Sequence, residues 1–107
     1  MNFNSENIEL FITVLDTGSF SAAARKLNRV PSAVSMAIAN LEAELGYILF
    51  ERTHRKVIPT PTALALEPQA RIISEQLRLF STHAHELSLG LESKLRIGVV
   101  SDVNTKL

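Results

Sequence analysis

The chain has 107 residues and equal numbers of basic and acidic side chains, 11 of each, so its formal net charge is zero with histidine neutral. This length suits one small domain, or one domain with an extension, and excludes a large enzyme fold, while 46% apolar and 21% charged residues predict a folded core. The absence of Cys excludes disulfide scaffolds, Cys-based zinc sites and thiol catalysis. Because no segment resembles a signal peptide or a membrane span, we expect a cytoplasmic protein.

The first half of the chain predicts two helices separated by a sharp turn. The apolar residues of the first helix recur at helical spacing, and these are Ile8, Phe11, Val14 and Leu15. Asn4 or Ser5 suits its N-cap, and Gly18 ends it. Ser19 suits the N-cap of a short second helix, 20–27, whose alanines would let another helix approach closely.

A third helix follows a short break at residues 28–30. Pro31 fits its first turn, since proline has no N–H to leave unpaired there, and Gly46 ends it after Leu45. Its predicted buried face consists of Val34, Ile38, Leu41 and Leu45. Two helices joined by a tight turn, after a longer packing helix, are typical of a helix-turn-helix.

Residues 47–59 predict a small β-hairpin. Segments 47–50 and 56–58 are rich in β-prone residues, and they flank the basic segment 52–55. A hairpin placed here is the wing of a winged helix-turn-helix. The predicted fold class is therefore mainly α, with three helices, a short wing and a further long helix.

The long helix begins at Thr60-Pro61 and carries an apolar seam. The seam residues follow one another in alternating steps of four and three, and they are Leu66, Ala70, Ile73, Leu77, Phe80, Ala84, Leu87 and Leu91. This spacing is typical of a coiled coil and predicts a homodimer. The alternative is an amphipathic helix packed on its own domain, but a helix of about 30 residues extends about 45 Å, farther than residues 1–60 can cover. Pro68 predicts a bend, or the true start of the helix nearby.

The end of the chain predicts a change of structure. Residues 95–100 have the composition of a buried parallel strand, and no partner strand follows them. A single strand is not stable alone, so we expect a second domain to begin here.

Several segments together resemble the N-terminal region of LysR-type transcriptional regulators. In chain order they are Gly18-Ser19-Phe20-Ser21-Ala22-Ala23-Ala24, Arg29-Val30-Pro31-Ser32-Ala33-Val34-Ser35, Leu41-Glu42, Glu44-Leu45-Gly46 and Leu49-Phe50-Glu51-Arg52-Thr53. The resemblance implies a regulator that binds a partly palindromic promoter site as a dimer or tetramer, with the third helix in the major groove and the wing along the backbone. It also implies three parts: a DNA-binding domain at 1–60, a dimerisation helix at 61–92, and at 93–107 the start of an effector domain, missing here, that senses a small-molecule inducer.

The resemblance and the side-chain chemistry together give a set of candidate DNA contacts. They are Ser19, Phe20, Arg29, Pro31, Ser32, Ser35, Met36, Asn40, Arg52, Arg55 and Lys56. Ser32 and Ser35 suit phosphates or base edges, or alternatively satisfy N–H groups of the first helical turn. Arg52, at the base of the wing, suits a narrow minor groove or a phosphate, or alternatively an ion pair with Glu44 or Glu51.

The charge is unevenly distributed, although its sum is zero. Residues 1–24 carry a net charge of −3 and residues 25–56 a net charge of +3. The third helix carries no basic residue and contains Glu42 and Glu44. We therefore expect weaker nonspecific DNA affinity than is usual in the family, with more reliance on dimerisation and on apolar contacts from Pro31 and Met36.

Two other functions are weighed against DNA binding. A coiled-coil dimer whose winged domain binds a protein partner would also suit zero net charge, but the basic residues around the helix-turn-helix, Arg29, Arg52, Arg55 and Lys56, favour DNA. Catalysis is not expected, because the four glycines form no phosphate-binding loop and no nucleophile lies in a triad pattern. His83 and His85 point to different sides of a helix, so no metal or cofactor is expected.

Overall fold

The computed structural model describes residues 4–53 and 56–97, which form four helices and one two-stranded antiparallel sheet. In chain order the elements are α1 (Ser5–Thr17), α2 (Phe20–Leu27), α3 (Pro31–Leu45), β1 (Phe50–Arg52), β2 (Val57–Pro59) and α4 (Pro61–Ile97). The predicted mainly α fold, with a helix-turn-helix, a wing and a long final helix, is confirmed.

The ends of the first three helices follow from local chemistry. The side-chain oxygens of Asn4 and Ser19 accept backbone N–H groups three residues further on, at 2.9 and 3.1 Å, and so cap α1 and α2. Gly18, Asn28 and Gly46 end α1, α2 and α3 in the left-handed conformation, with φ of 68°, 62° and 86°. Glycine and asparagine adopt this conformation most readily, so the predicted boundaries are confirmed.

One hydrophobic core joins α1, α2, α3, β1 and the first turns of α4. Its buried members are Ile8, Leu10, Phe11, Ile12, Val14, Ala23, Ala24, Val34, Ile38, Leu41, Leu49, Phe50, Ala63 and Ala70. The predicted buried face of α3 is confirmed at its first three positions, while Leu45 is only partly buried. In α2, Ala23 and Ala24 are almost completely buried, where their small side chains allow close contact with α1 and α3.

The wing is shorter than the sequence predicts. β1 begins at Phe50, so the prediction of a strand over residues 47–49 was wrong. At Leu49 only half of the next pair is formed: its carbonyl accepts the N–H of Thr60, the opposite residue in this register, at 2.9 Å, but its N–H donates to Glu42 at 2.8 Å. The bond to Glu42 takes the N–H that would complete the pair with Thr60, so the strand begins only at Phe50.

Helix α4 begins where it was predicted and extends further than was predicted. The hydroxyl of Thr60 accepts the N–H of Ala63 at 3.3 Å, and the helix continues through Pro68 to Ile97. The predicted strand at residues 95–100 is therefore wrong for 95–97, and 98–100 lie outside the described residues. Continuing the helix pairs the N–H groups of 95–97 with carbonyls of the preceding turn, whereas a strand without a neighbour would leave them unpaired.

Polar contacts join the start of α4 to α1. The guanidinium of Arg71 donates to Asp16 at 2.6 Å and to Glu67 at 2.9 Å, and these two hydrogen bonds raise the pKa of Arg71 above its ordinary value. The hydroxyl of Ser74 donates to Glu9. The Arg71 and Asp16 side chains are 42% and 44% exposed, so this ion pair contributes only about 0–1 kcal/mol to the free energy of unfolding. Its main effect is to orient the start of α4 on α1.

The chain divides into two units, with the boundary between Glu75 and Gln76 inside α4. The first unit contains Leu66 and Ala70, which pack against the core. In the second unit the large seam residues from Phe80 onward are exposed: 72% for Phe80, 56% for Leu87 and 64% for Leu91. Within the described ranges, no helix is long and apolar enough to cross a membrane.

Candidate nucleic-acid interface

The base of the wing lies against the start of α2. Arg52 pairs with Val57 at the end of the antiparallel ladder, and the N–H of Thr53 donates to the carbonyl of Lys56 at 3.0 Å, which closes the turn. The N–H of Val57 donates to the carbonyl of Gly18 at 3.2 Å. This hydrogen bond holds the wing beside the turn between α1 and α2, so Ser19 and Phe20 are brought close to Arg52.

The guanidinium of Arg52 lies over the ring of Phe20, 4.7 Å from the ring centroid. The same ring meets Phe50 edge-on, with centroids 6.5 Å apart and an interplanar angle of 85°. Phe50 in turn packs against Phe11 at 5.8 Å. A row of aromatic rings thus leads from the core to Arg52. The sequence did not predict the cation–π contact between Arg52 and Phe20.

The start of α3 presents an exposed surface of small and apolar side chains. Pro31 and Ser32 are exposed, Met36 is 63% exposed, and Ser35 is partly buried. Val30 occupies the N-cap position, and no side chain caps the helix. The first N–H groups of α3 are therefore not satisfied by a capping side chain, which suits the approach of a phosphate.

The remaining candidate contacts have different surroundings. Arg29 forms an ion pair with Glu6 of α1, and both side chains are solvent-accessible. Lys56 is exposed beside the wing turn, and Arg55 lies outside the described residues.

Asn40 is exposed and borders a groove shared with Asn4 and other residues of α1 and α3. It therefore lies toward α1, away from the first turns of α3.

Glu42 has a structural contact that the sequence did not predict. Its Oε2 atom accepts the backbone N–H groups of Leu49 and Phe50 at 2.8 and 3.1 Å. The carboxylate thereby fixes the start of the wing relative to α3. From the sequence Glu42 is only a charge that opposes DNA, because no local pattern signals a bond across seven or eight residues.

Replacing Glu42 with alanine is expected to destabilise the fold by about 2 kcal/mol, because two partly buried N–H groups lose a charged acceptor. Urea unfolding at a fixed protein concentration measures this change. The matched control is Glu51→Ala, which removes an exposed carboxylate from β1 and should stay within about 0.5 kcal/mol of the parent. Equal losses in the two variants would contradict a special role for Glu42.

The described residues contain no group of three or more His, Asp or Glu side chains that could hold a metal ion. The geometry that they do show is a helix-turn-helix whose third helix has exposed side chains in its first turns, with an arginine held at the wing. These are features of a surface that contacts a nucleic acid.

Comparison with known proteins agrees with this geometry. Residues 5–64 match the family model described as "Bacterial regulatory helix-turn-helix protein, lysR family". The HTH-type transcriptional regulator AceR of Acinetobacter baumannii is 50% identical to the chain over 103 residues, which cover 96% of the chain and 35% of the relative. The chain thus spans about a third of the length of this relative.

The similar solved structures include complexes with DNA. The structure of the CbnR_DBD–DNA complex superposes with a TM-score of 0.71 at 28% identity, covering 80% of this chain and 99% of that one. The complex of BenM_DBD with benA site 1 DNA gives a TM-score of 0.73 at 28% identity, covering 80% and 97%. Both similarities extend over most of the described residues.

Proposed function

Because the chain belongs to the LysR family of bacterial regulatory helix-turn-helix proteins, we propose that it binds double-stranded DNA in the regulation of transcription, through α3 and the wing. The observation that carries the proposal is the set of exposed side chains at the start of α3, together with Arg52 held against Phe20 at the base of the wing. The similarity to two protein–DNA complexes supports the same role for this part of the chain.

In the proposed complex the first turns of α3 enter the major groove. Ser32 and Ser35 donate to phosphates or base edges, while Pro31 and Met36 contact thymine methyl groups. Asn40 has the weakest support as a base contact, since it borders the groove toward α1.

The basic residues of the interface neutralise phosphates. Arg52 and Lys56 are available on the wing, and Arg55 is proposed to join them. Arg29 must leave Glu6 to reach a phosphate, but an exposed ion pair of this kind is worth only about 0–1 kcal/mol, so the exchange is feasible. Ser19 and Phe20 start α2, whose first N–H groups suit a further phosphate.

We further propose that α4 dimerises with α4 of a second copy. The support is the exposed apolar seam, in which Ile73, Phe80 and Leu87 are 42%, 72% and 56% exposed, with Ala84 and Leu91 also exposed and Leu77 partly so. Leu66 and Ala70 pack on their own domain, so the proposed seam depends on the residues from Ile73 onward. A dimer would present two winged domains to a partly palindromic site, and a tetramer would present four.

The alternative function, a dimer whose winged domain binds a protein partner, is not favoured. The support for this alternative is the zero net charge of the chain and the lack of basic residues in α3. However, the carboxylate of Glu42, one of the two acidic residues of that helix, accepts backbone N–H groups of the wing. The acidic charge of α3 therefore opposes DNA binding less than the sequence alone suggests.

The proposal is tested by following the fluorescence anisotropy of a labelled random-sequence duplex at about 50 and 200 mM salt. We expect the affinity to fall at least about tenfold between these salt concentrations, because each neutralised phosphate releases condensed counterions. Absence of binding at low salt by a folded dimer would instead favour the protein-interaction function.

A further inference from the structure

We propose that Phe20 is a positioning residue for Arg52: its ring holds the wing guanidinium in the orientation that meets DNA. The inference rests on the proposed DNA-binding function and assigns to the Phe20 side chain a role distinct from the backbone N–H groups at the start of α2. The contact that carries it is the guanidinium of Arg52 over the Phe20 ring, 4.7 Å from the centroid.

The strand geometry explains why the two side chains meet. Side chains two residues apart in a strand lie on the same face, so Phe50 and Arg52 project from the same side of β1. Phe20 meets both of them, because the bond from Val57 to Gly18 holds the wing against the start of α2. The contact is therefore built into the fold.

The ring that supports Arg52 is itself held in place. Phe50 is 3% exposed and Phe11 is 2% exposed, and the edge-on contact between Phe20 and Phe50 links the supporting ring to these buried neighbours. Arginine has several rotatable bonds, and fixing such a side chain on binding costs affinity. A ring that already restricts the guanidinium in the free protein lowers this cost.

The kind of contact matters as much as its position. Arg29 and Arg71 lie against carboxylates, which offset their charge and use their N–H donors. An aromatic face attracts the cation without neutralising its formal charge and accepts no N–H from the guanidinium edge. Arg52 is thus ordered while it keeps its charge and its donors for a phosphate or a base edge.

The experiment is a double-mutant cycle between Phe20→Leu and Arg52→Ala, measured as affinity for the random-sequence duplex at low salt. We expect Phe20→Leu to weaken binding about 3- to 10-fold when Arg52 is present and to have less than about a twofold effect when it is absent. Phe20→Tyr keeps the aromatic face and should restore binding to near the parental value. Equal losses in both backgrounds would overturn the inference, because Phe20 would then act independently of Arg52.

A measurement without DNA separates the inference from the proposed function. In the proton NMR spectrum of the free protein, the ring current of Phe20 should shift the side-chain resonances of Arg52 upfield. Phe20→Leu should abolish this shift, while the amide resonances remain those of a folded protein. An unshifted Arg52 in the parent would overturn the inference even if DNA binds. A shifted Arg52 in a protein that binds no DNA would confirm the contact and reject the proposed function.

Discussion

Leu77→Glu is expected to convert a dimer into a folded monomer and to reduce its affinity for a long duplex at least about 100-fold. Leu77 lies in the middle of the proposed seam, between Ile73 and Phe80, and is partly buried in the single chain. A carboxylate at this position would be enclosed by apolar side chains in the dimer, and an uncompensated buried charge costs about 3–5 kcal/mol. Dissociation follows, since no partner on the seam offsets that cost.

The loss of DNA affinity follows from the loss of the second winged domain. Two domains on one helix pair bind one duplex together, and such linkage raises affinity by about 10²–10⁴-fold over a single domain. Sedimentation velocity gives the mass, and anisotropy with a duplex of about 30 base pairs, long enough for two half-sites, gives the affinity. Glutamate is a good helix former, so circular dichroism should show that α4 persists.

Thr82→Glu is the matched control for this prediction. Thr82 is exposed on the same helix and is two residues from both Phe80 and Ala84, which places it on the side away from the seam. It adds the same charge and should leave the dimer intact. A Leu77→Glu variant that still sediments as a dimer would show that the chains associate through another surface.

The elements of this fold were predictable where the controlling interactions are local. The helix ends could be predicted because each is set by a residue that acts on its own helical turn. These residues are Asn4, Ser19, Gly18, Gly46 and Pro31. The late start of β1, in contrast, depends on a contact between distant residues. The first strand begins later than expected because the N–H of Leu49 donates to Glu42 of α3, seven residues away, and not to the opposite residue of the hairpin.

The same contrast between local and long-range contacts applies to the candidate site. Sequence alone placed Arg52 at the wing, but its contact with Phe20 joins residues 32 positions apart and depends on the packing of the wing against α2. The pairing of Arg29 with Glu6 spans 23 positions. Segments 1–24 and 25–56 carry net charges of opposite sign, but only the fold shows which of these charged side chains meet.

Arg52→Ala is expected to lower the affinity for every duplex by about 1–3 kcal/mol, or roughly 10- to 100-fold, through loss of a charge-assisted contact. Because a phosphate contact carries no sequence information, the loss should be similar for different sequences, and the salt dependence should weaken by about one counterion per chain. Stability should change by about 1 kcal/mol or less, since Arg52 is exposed and its contact with Phe20 is a surface cation–π pair.

Two further variants distinguish the position of the arginine from its charge. Arg25→Ala removes the same charge from an exposed position near the end of α2 and should weaken binding much less. Arg52→Lys keeps the charge but lacks the planar fork of donors, so it should recover only part of the affinity and leave the salt dependence near that of the parent. If Arg25→Ala and Arg52→Ala weakened binding equally, net charge alone would govern affinity, and the wing would have no special role. A selective loss at Arg52 would instead assign the contact to the one arginine that the fold orders against an aromatic ring, with its charge and its donors directed to DNA.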